Sequence, residues 1–231
     1  MAVDWGHAMK AATTTSKEDY LKAILEAEAE GHAVIPALIA HWIKVSPPAV
    51  TMALKRLRRD GLVEPDTDGA IRLTEAGRAT AYRTALRHHL IERMLSEIFG
   101  MEWHQIHEEA ERLEHAVSPA FEAKLLEKLG AEGACPHGNA VLPASPAARR
   151  ERGELLLTEA ALGVCYVVVS IQERDPQLLA YLHQAGIGPG VGLRVTHHNY
   201  DQTIALQMDA QKATLGRSAG EAVWLRVSLS S

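Results

Sequence analysis

The stretch from Ser46 to Leu73 is punctuated so closely that it admits few folds. Ser46-Pro47-Pro48 supplies an N-cap with proline at the first helical position, and Asp60-Gly61 stops the helix that begins there. Beyond the stop, Leu62-Val63 and Ile71-Arg72-Leu73 read as paired strands joined through an Asp68-Gly69 turn signal. Upstream, Ser16-Lys17-Glu18-Asp19 reads as an N-cap and acidic first turn that opens a helix running to about Glu30. Val34 to Val45 is short and apolar enough for a second helix. The order helix, helix, helix, hairpin is that of a winged helix-turn-helix.

Charge supports this reading locally, although the formal net charge of −5 opposes nucleic-acid binding. Between Gly31 and Arg59 there is no Asp or Glu, while Lys44, Lys55, Arg56, Arg58 and Arg59 are present. On a helical wheel Val50, Ala53, Leu54 and Leu57 form a core face, leaving Pro48, Thr51, Met52, Lys55 and Arg59 opposite. Small and apolar groups near the start of such a helix can approach base edges, and its cations can hold phosphates. Pro48 and Met52 suit thymine methyl groups and offer no bidentate bond to a purine, so DNA shape contributes to specificity. Ser46 at the cap and Arg72 on the wing complete the candidate DNA-binding set. A basic amphipathic helix can also be a plain solvated face; the hairpin directly after it favours DNA.

The remaining chain divides by composition. Residues 1–15 read as a flexible tail, 16–76 as the winged helix and 77–132 as a helical domain, in pieces parted near Gly100 and Ser118-Pro119. Residues 133–154, rich in Gly, Pro and small side chains, read as a linker. In 155–231, Gly163–Ile171, Leu193–His197, Thr203–Met208 and Ala222–Val227 read as strands, with a short helix from Pro176 to Ala185; this pattern suggests a small β-barrel-like domain. The fold class is therefore α+β. No membrane-length apolar run or export signal is visible, so the expectation is a cytoplasmic protein with Cys135 and Cys165 reduced.

Residues 88–115 concentrate metal-ligand chemistry: His88, His89, Glu92, His104, His107, Glu111, Glu114 and His115. With His107 at zero on the wheel, Glu111 falls near about 40°, Glu114 near about −20° and His115 near about 80°, one face. His107 and His115 lie roughly 12 Å apart along an ideal helix, too far to share an ion bonded at about 2 Å. One face then implies two sites: Glu111, Glu114 and His115 with a group from elsewhere, and His107 with His88 and Glu92. A solvated His/Glu face is the competing reading, and the residues alone leave both open.

The run His88-His89-Leu-Ile-Glu92 through His107-Glu-Glu-Ala-Glu111-Arg-Leu-Glu114-His115-Ala-Val-Ser118, with Arg58-Arg59-Asp60-Gly61-Leu62-Val63, Leu73-Thr74-Glu75-Ala76-Gly77 and Cys135-Pro136-His137-Gly138-Asn139, closely resembles the diphtheria toxin repressor and manganese transport regulator family. The resemblance implies a homodimer formed by the middle helices, a C-terminal SH3-like module, and a palindromic operator bound when Mn²⁺ or Fe²⁺ is loaded. It implies a cytoplasmic transcriptional repressor of metal-ion homeostasis genes. One site would hold Asp19, Glu111, Glu114 and His115; the other would hold His88, Glu92 and His107, with Glu173 and Gln172 from the C-terminal domain as further candidates. Asp19 and Glu111 stand where iron-responsive relatives carry methionine and cysteine. Carboxylate oxygens suit Mn²⁺ better than sulfur does, so the expected cofactor is Mn²⁺, with Fe²⁺ the alternative. Lys22 stands where the manganese branch commonly has a second acid. Cys135 and His137 read as a structural turn and His197-His198 as surface residues. A metal-dependent hydrolase is the rival from another class, weakened because residue 111 is Glu and not the second histidine of the two-histidine zinc helix.

Overall fold

The computed structural model describes residues 17–65, 70–209 and 211–228. The Ser16 cap and the Asp68-Gly69 turn lie outside the described residues.

The first unit contains α1 (Lys17–Ala29), α2 (Pro36–Trp42), α3 (Pro47–Arg59) and the antiparallel strands β1 (Val63–Pro65) and β2 (Ile71–Leu73), the expected winged helix. Ser46 caps α3 by accepting from the Ala49 amide, and Val50, Ala53 and Leu57 point into the core with Leu21, Ile24 and Ile39. The second helix is shorter than its apolar run suggested: the chain leaves it at Ile43 and turns through Lys44 at φ 53°, which aims α3 away from α2. Burial surrounds α1, with Tyr20, Leu21, Ala23, Ile24, Leu25 and Ala27 all enclosed, because it packs against the winged-helix core and also against the next long helix.

That helix is α4 (Glu75–Glu97), followed by α5 (Trp103–Leu113) and α6 (Pro119–Leu129), the three pieces expected. Thr74 and Ser118 cap α4 and α6. Two arginines of α4 satisfy carbonyls where the other helices end: Arg87 donates to Glu114 O (3.1 Å), and Arg93 donates to Gly130 O (3.2 Å) and Glu132 O (2.8 Å). Cations favour the negative ends of helix dipoles, so α4 organises its neighbours as well as packing on them.

Residues 133–154 are more than a linker. They contain α7 (Pro146–Glu151) and a tight turn in which Gly138 N donates to Cys135 O and Cys135 N to Asn139 O, both at 2.8 Å. The C-terminal unit comprises β3 (Glu154–Leu156), β4 (Cys165–Ile171), α8 (Pro176–Gln184), β5 (Gly192–His198), β6 (Ile204–Met208), β7 (Gln211–Leu215), α9 (Arg217–Gly220) and β8 (Val223–Val227). Strands β3 and β7 were invisible to the sequence reading, being short or weakly alternating. The six strands pair antiparallel in the order β3-β8-β4-β5-β6-β7. Among the described residues the pairing forms one six-stranded sheet, the sheet of the expected barrel-like domain, with β3 and β7 at its edges.

The turn at Cys135–Asn139 docks on the end of β4. Ile171 N donates to His137 O (2.9 Å) and Asn139 Nδ2 to Ile171 O (2.9 Å), fixing the turn beside Glu173. Buried Arg149 of α7 secures it from behind, donating to Ser170 Oγ (2.8 Å), Glu154 and Asn139. Gly138 makes this approach possible: its φ is 84°, and a Cβ there would lie 2.0 Å from Val169 O. Gly138→Ala should therefore cost at least about 2 kcal/mol in chemical denaturation, from combined strain and displacement; a change within about 0.5 kcal/mol would show that the turn is not tightly held.

Candidate metal centre and nucleic-acid interface

The seven residues expected to read DNA, Ser46, Pro48, Thr51, Met52, Lys55, Arg59 and Arg72, are all solvent-exposed. Met52 is 54% exposed on α3, an apolar group left in water beside Lys55. Below them, α1 joins the DNA-reading unit to a buried polar cluster between α4, α5 and the turn at Cys135–Asn139.

The centre of that cluster is one carboxylate oxygen. Glu92 is 1% exposed on α4, and its Oε1 lies 3.1 Å from His88 Nε2, 3.1 Å from His107 Nδ1 and 3.5 Å from His137 Nδ1. His88 and Glu92 meet because they are one helical turn apart on α4, and His107 faces them from α5. Cys135 and His137 arrive on the docked turn, and Glu173 comes from the loop after β4. Glu173 Oε2 lies 3.3 Å from His137 Nδ1, accepts from the Cys135 thiol (3.5 Å) and accepts from Asn139 Nδ2 (2.8 Å). Two overlapping ligand sets result, His88, Glu92, His107 and Glu173, and Glu92, Cys135, His137 and Glu173; within each, the donor atoms lie within 4.8 Å of one another.

A third set joins α1 to the end of α5. His115 Nε2 lies 2.7 Å from Asp19 Oδ1 and 3.4 Å from Glu114 Oε1, and His115 Nδ1 lies 3.2 Å from Glu18. Glu114, 1% exposed, accepts from Lys22 Nζ at 2.9 Å on both oxygens and from His88 Nδ1 at 2.6 Å. Through His88 this set touches the Glu92 cluster.

The charges are strongly coupled. Burial and the Lys22 ammonium oppose protonation of His88, but Glu92 and Glu114 outweigh them and push its pKa up to about 10. Burial likewise opposes the His137 imidazolium, yet Glu173 and Glu92 raise its pKa to about 10. Burial raises Glu114 and Glu173, but their imidazole and ammonium partners bring both down to about 2, and the same competition leaves Glu92 well below the ordinary carboxylate range. Burial lowers Lys22, but Glu114, Glu26 and Glu111 hold it above its ordinary value. Burial pushes the Cys135 thiol up, and Glu173 and Glu92 reinforce it.

Of the residues expected to ligate, the structure brings together Asp19, Glu114 and His115, and separately His88, Glu92, His107 and Glu173. Glu111 does not join Asp19; its side chain is 54% exposed and lies 3.7 Å from His107 Nε2. Gln172 is exposed and uses its backbone N–H to reach Ala222 O. Cys135 and His137, read from sequence as a turn only, are at once a turn and part of the cluster. Their Cys-Pro-His-Gly-Asn motif was the available signal, but its long-range partners were not legible. The donor set fits a divalent transition ion: imidazoles and carboxylates converge in a buried site, and His137 Nε2 has no hydrogen-bond partner among the described residues.

Family models match three consecutive regions: iron-dependent repressor, N-terminal DNA-binding domain, at residues 12–71; iron-dependent repressor, metal binding and dimerisation domain, at 74–143; and FeoA domain, at 155–227. The iron-dependent repressor IdeR of Mycobacterium tuberculosis is 34% identical over 189 residues, covering 77% of this chain and 82% of the relative. The chain belongs to the iron-dependent repressor family. IdeR of Mycobacterium leprae is 31% identical over 89% of this chain and 94% of its own length. A solved manganese-dependent transcriptional repressor in complex with manganese is 31% identical with a TM-score of 0.78, covering 92% of this chain and 100% of that one. The chain is thus a metal-responsive DNA-binding transcriptional regulator and not an enzyme, which removes the hydrolase reading. No helix among the described residues is long and apolar enough to cross a membrane. In this repressor the matched dimerisation region leaves Ile98, Phe99, Phe121 and Leu126 exposed, with Phe99 at 67%.

The histidine shifts set the pH dependence of the metal-free repressor. A raised imidazole pKa stabilises fully below 6.5 and ceases to do so as pH climbs towards 10; the depressed Glu114 and Glu173 stabilise above 4.5 and fail towards 2. Above pH 6.5, where the lowered pKa values of His89 and His104 leave both neutral in either state, urea midpoints in chelator should therefore fall towards about pH 9. A midpoint that rises across that upper interval would show that these imidazoles are neutral in the folded chain.

Proposed function

We propose that this repressor is a homodimer that binds a palindromic operator of metal-ion homeostasis genes when Mn²⁺ is held at the Glu92 cluster. The observation that carries the reading is the meeting of His88, Glu92, His107, Cys135, His137 and Glu173 in one buried space, drawn from α4, α5, the Cys135–Asn139 turn and the loop after β4. Of these six donors the two carboxylates, Glu92 and Glu173, favour Mn²⁺, and the three imidazoles suit first-row divalent ions generally. The sixth, the Cys135 thiol, favours Fe²⁺ as the second reading, in line with the iron-dependent relatives. A bound divalent cation would supply positive charge among the carboxylates in place of protons.

The chain's own residues link that cluster to the DNA-binding unit. Glu173 is followed by Arg174, whose guanidinium pairs with Glu26 of α1 (3.3 Å) and with Glu30 just after it, and stacks 3.7 Å over the Trp42 ring at the end of α2. Fixing Glu173 therefore fixes the grip on the two helices that support α3. On α3 and the wing, Ser46, Pro48, Thr51, Met52, Lys55, Arg59 and Arg72 form the contact surface, with Met52 against base methyl groups and Lys55 and Arg72 on phosphates. The exposed apolar residues just after α4, Ile98 and Phe99, with Phe121 and Leu126 of α6, give a second copy a face to pair with, placing two recognition helices on two half-sites.

The test is a thermodynamic cycle on a duplex enriched by repeated selection against the Mn²⁺-loaded protein. DNA should tighten Mn²⁺ binding by the same factor that Mn²⁺ tightens DNA binding. Arg174→Ala should shrink that factor at least about fivefold, roughly 1 kcal/mol, while leaving Mn²⁺ affinity without DNA unchanged. Equal Mn²⁺ affinity with and without DNA in the wild type would sink the switch.

A further inference from the structure

Lys22 is the only lysine that the described residues bury, at 7% exposure on α1. Its Nζ stands 2.9 Å from each oxygen of Glu114 and 3.4 Å from His88 Nδ1, inside the junction between the Asp19–Glu114–His115 set and the Glu92 cluster. Glu114 is the one deeply buried carboxylate of the former set, and both of its oxygens are already engaged by a cation. An ion bonded to either oxygen at about 2.1 Å would sit within roughly 5 Å of Nζ, where low dielectric makes two positive centres repel strongly.

We propose that the Lys22 ammonium is a permanent internal cation that takes the place of a second metal ion at Asp19, Glu114 and His115, so that each chain holds one metal ion, at the Glu92 cluster. This rests on the metal reading above and determines its stoichiometry. Lys22 lies one turn beyond Asp19 on α1, while its partners belong to α4 and the end of α5, so its ion pair pins α1 to the helical domain with or without metal. Asp19 and His115, 2.7 Å apart, then form a structural ion pair beside it and are not ligands. The DNA-binding unit is docked on this side permanently, which leaves the Glu173–Arg174 side as the one that responds to metal.

The test is equilibrium dialysis of the full-length protein against Mn²⁺, with bound metal counted by mass spectrometry and free Mn²⁺ by electron paramagnetic resonance. Wild type and Asp19→Asn should each bind one ion per chain. Lys22→Glu should bind two, and adding Asp19→Asn to it should return the count to one. Hydrogen exchange of α1 in wild type should be slow in chelator and unchanged by Mn²⁺, whereas Lys22→Met should speed it at least tenfold. Two ions per wild-type chain, or a folded Lys22→Glu that still binds one, overturns the proposal. Metal-induced protection of α1 in wild type does the same even if the variants fail to fold. Failure of the wild type to bind any ion would overturn the metal reading itself.

Discussion

Everything in this molecule converges on the Glu92 carboxylate, which is buried and shared by three imidazoles. A carboxylate cannot be taken out of water without compensating positive charge, and here protonated histidines provide it. The requirement explains why four separate segments meet at this point. It also explains why the cluster suits metal control: protonated histidines are an occupant of the site that a divalent cation can replace. Nearby Glu114 meets the same requirement differently, sharing His88 and adding the Lys22 ammonium across both of its oxygens.

This asymmetry divides the link between the DNA-reading unit and the body into two parts. One is the ammonium bridge from Lys22 on α1; the other is the Arg174 clamp on Glu26, Glu30 and Trp42, adjacent in sequence to a carboxylate of the cluster. A regulator needs some contacts that hold the domains together and others whose strength depends on the effector. The two sides of α1 separate those duties.

Much of this was legible in the sequence. Ser46 does cap the helix that follows it, and the α3 wheel sorted core from exposed face correctly at Val50, Leu57, Met52 and Lys55. The His107 wheel's shared face is visible in that Glu111, Glu114 and His115 line one cleft together with Asp19, but an angle does not say what stands opposite each of them. Glu114 meets His88 of α4 and Lys22 of α1, His115 meets α1, and the Glu111 carboxylate turns towards His107 (3.7 Å). Cys135 and His137 escaped for a related reason. A turn motif states its own geometry, whereas its docking on β4 depends on the Gly138 approach to Val169 and on partners some thirty residues away. Alternation found most strands of the C-terminal sheet but not their order, because it reports strands and not their pairing.

The most direct measurement is Mn²⁺ binding to Glu92→Gln, which keeps the shape of the side chain and removes its charge. With the fold verified by circular dichroism, Mn²⁺ affinity should fall at least about a hundredfold, and Mn²⁺-dependent DNA binding should disappear with it. A Glu92→Gln protein that binds Mn²⁺ and DNA as the wild type does would place the metal switch elsewhere in the molecule.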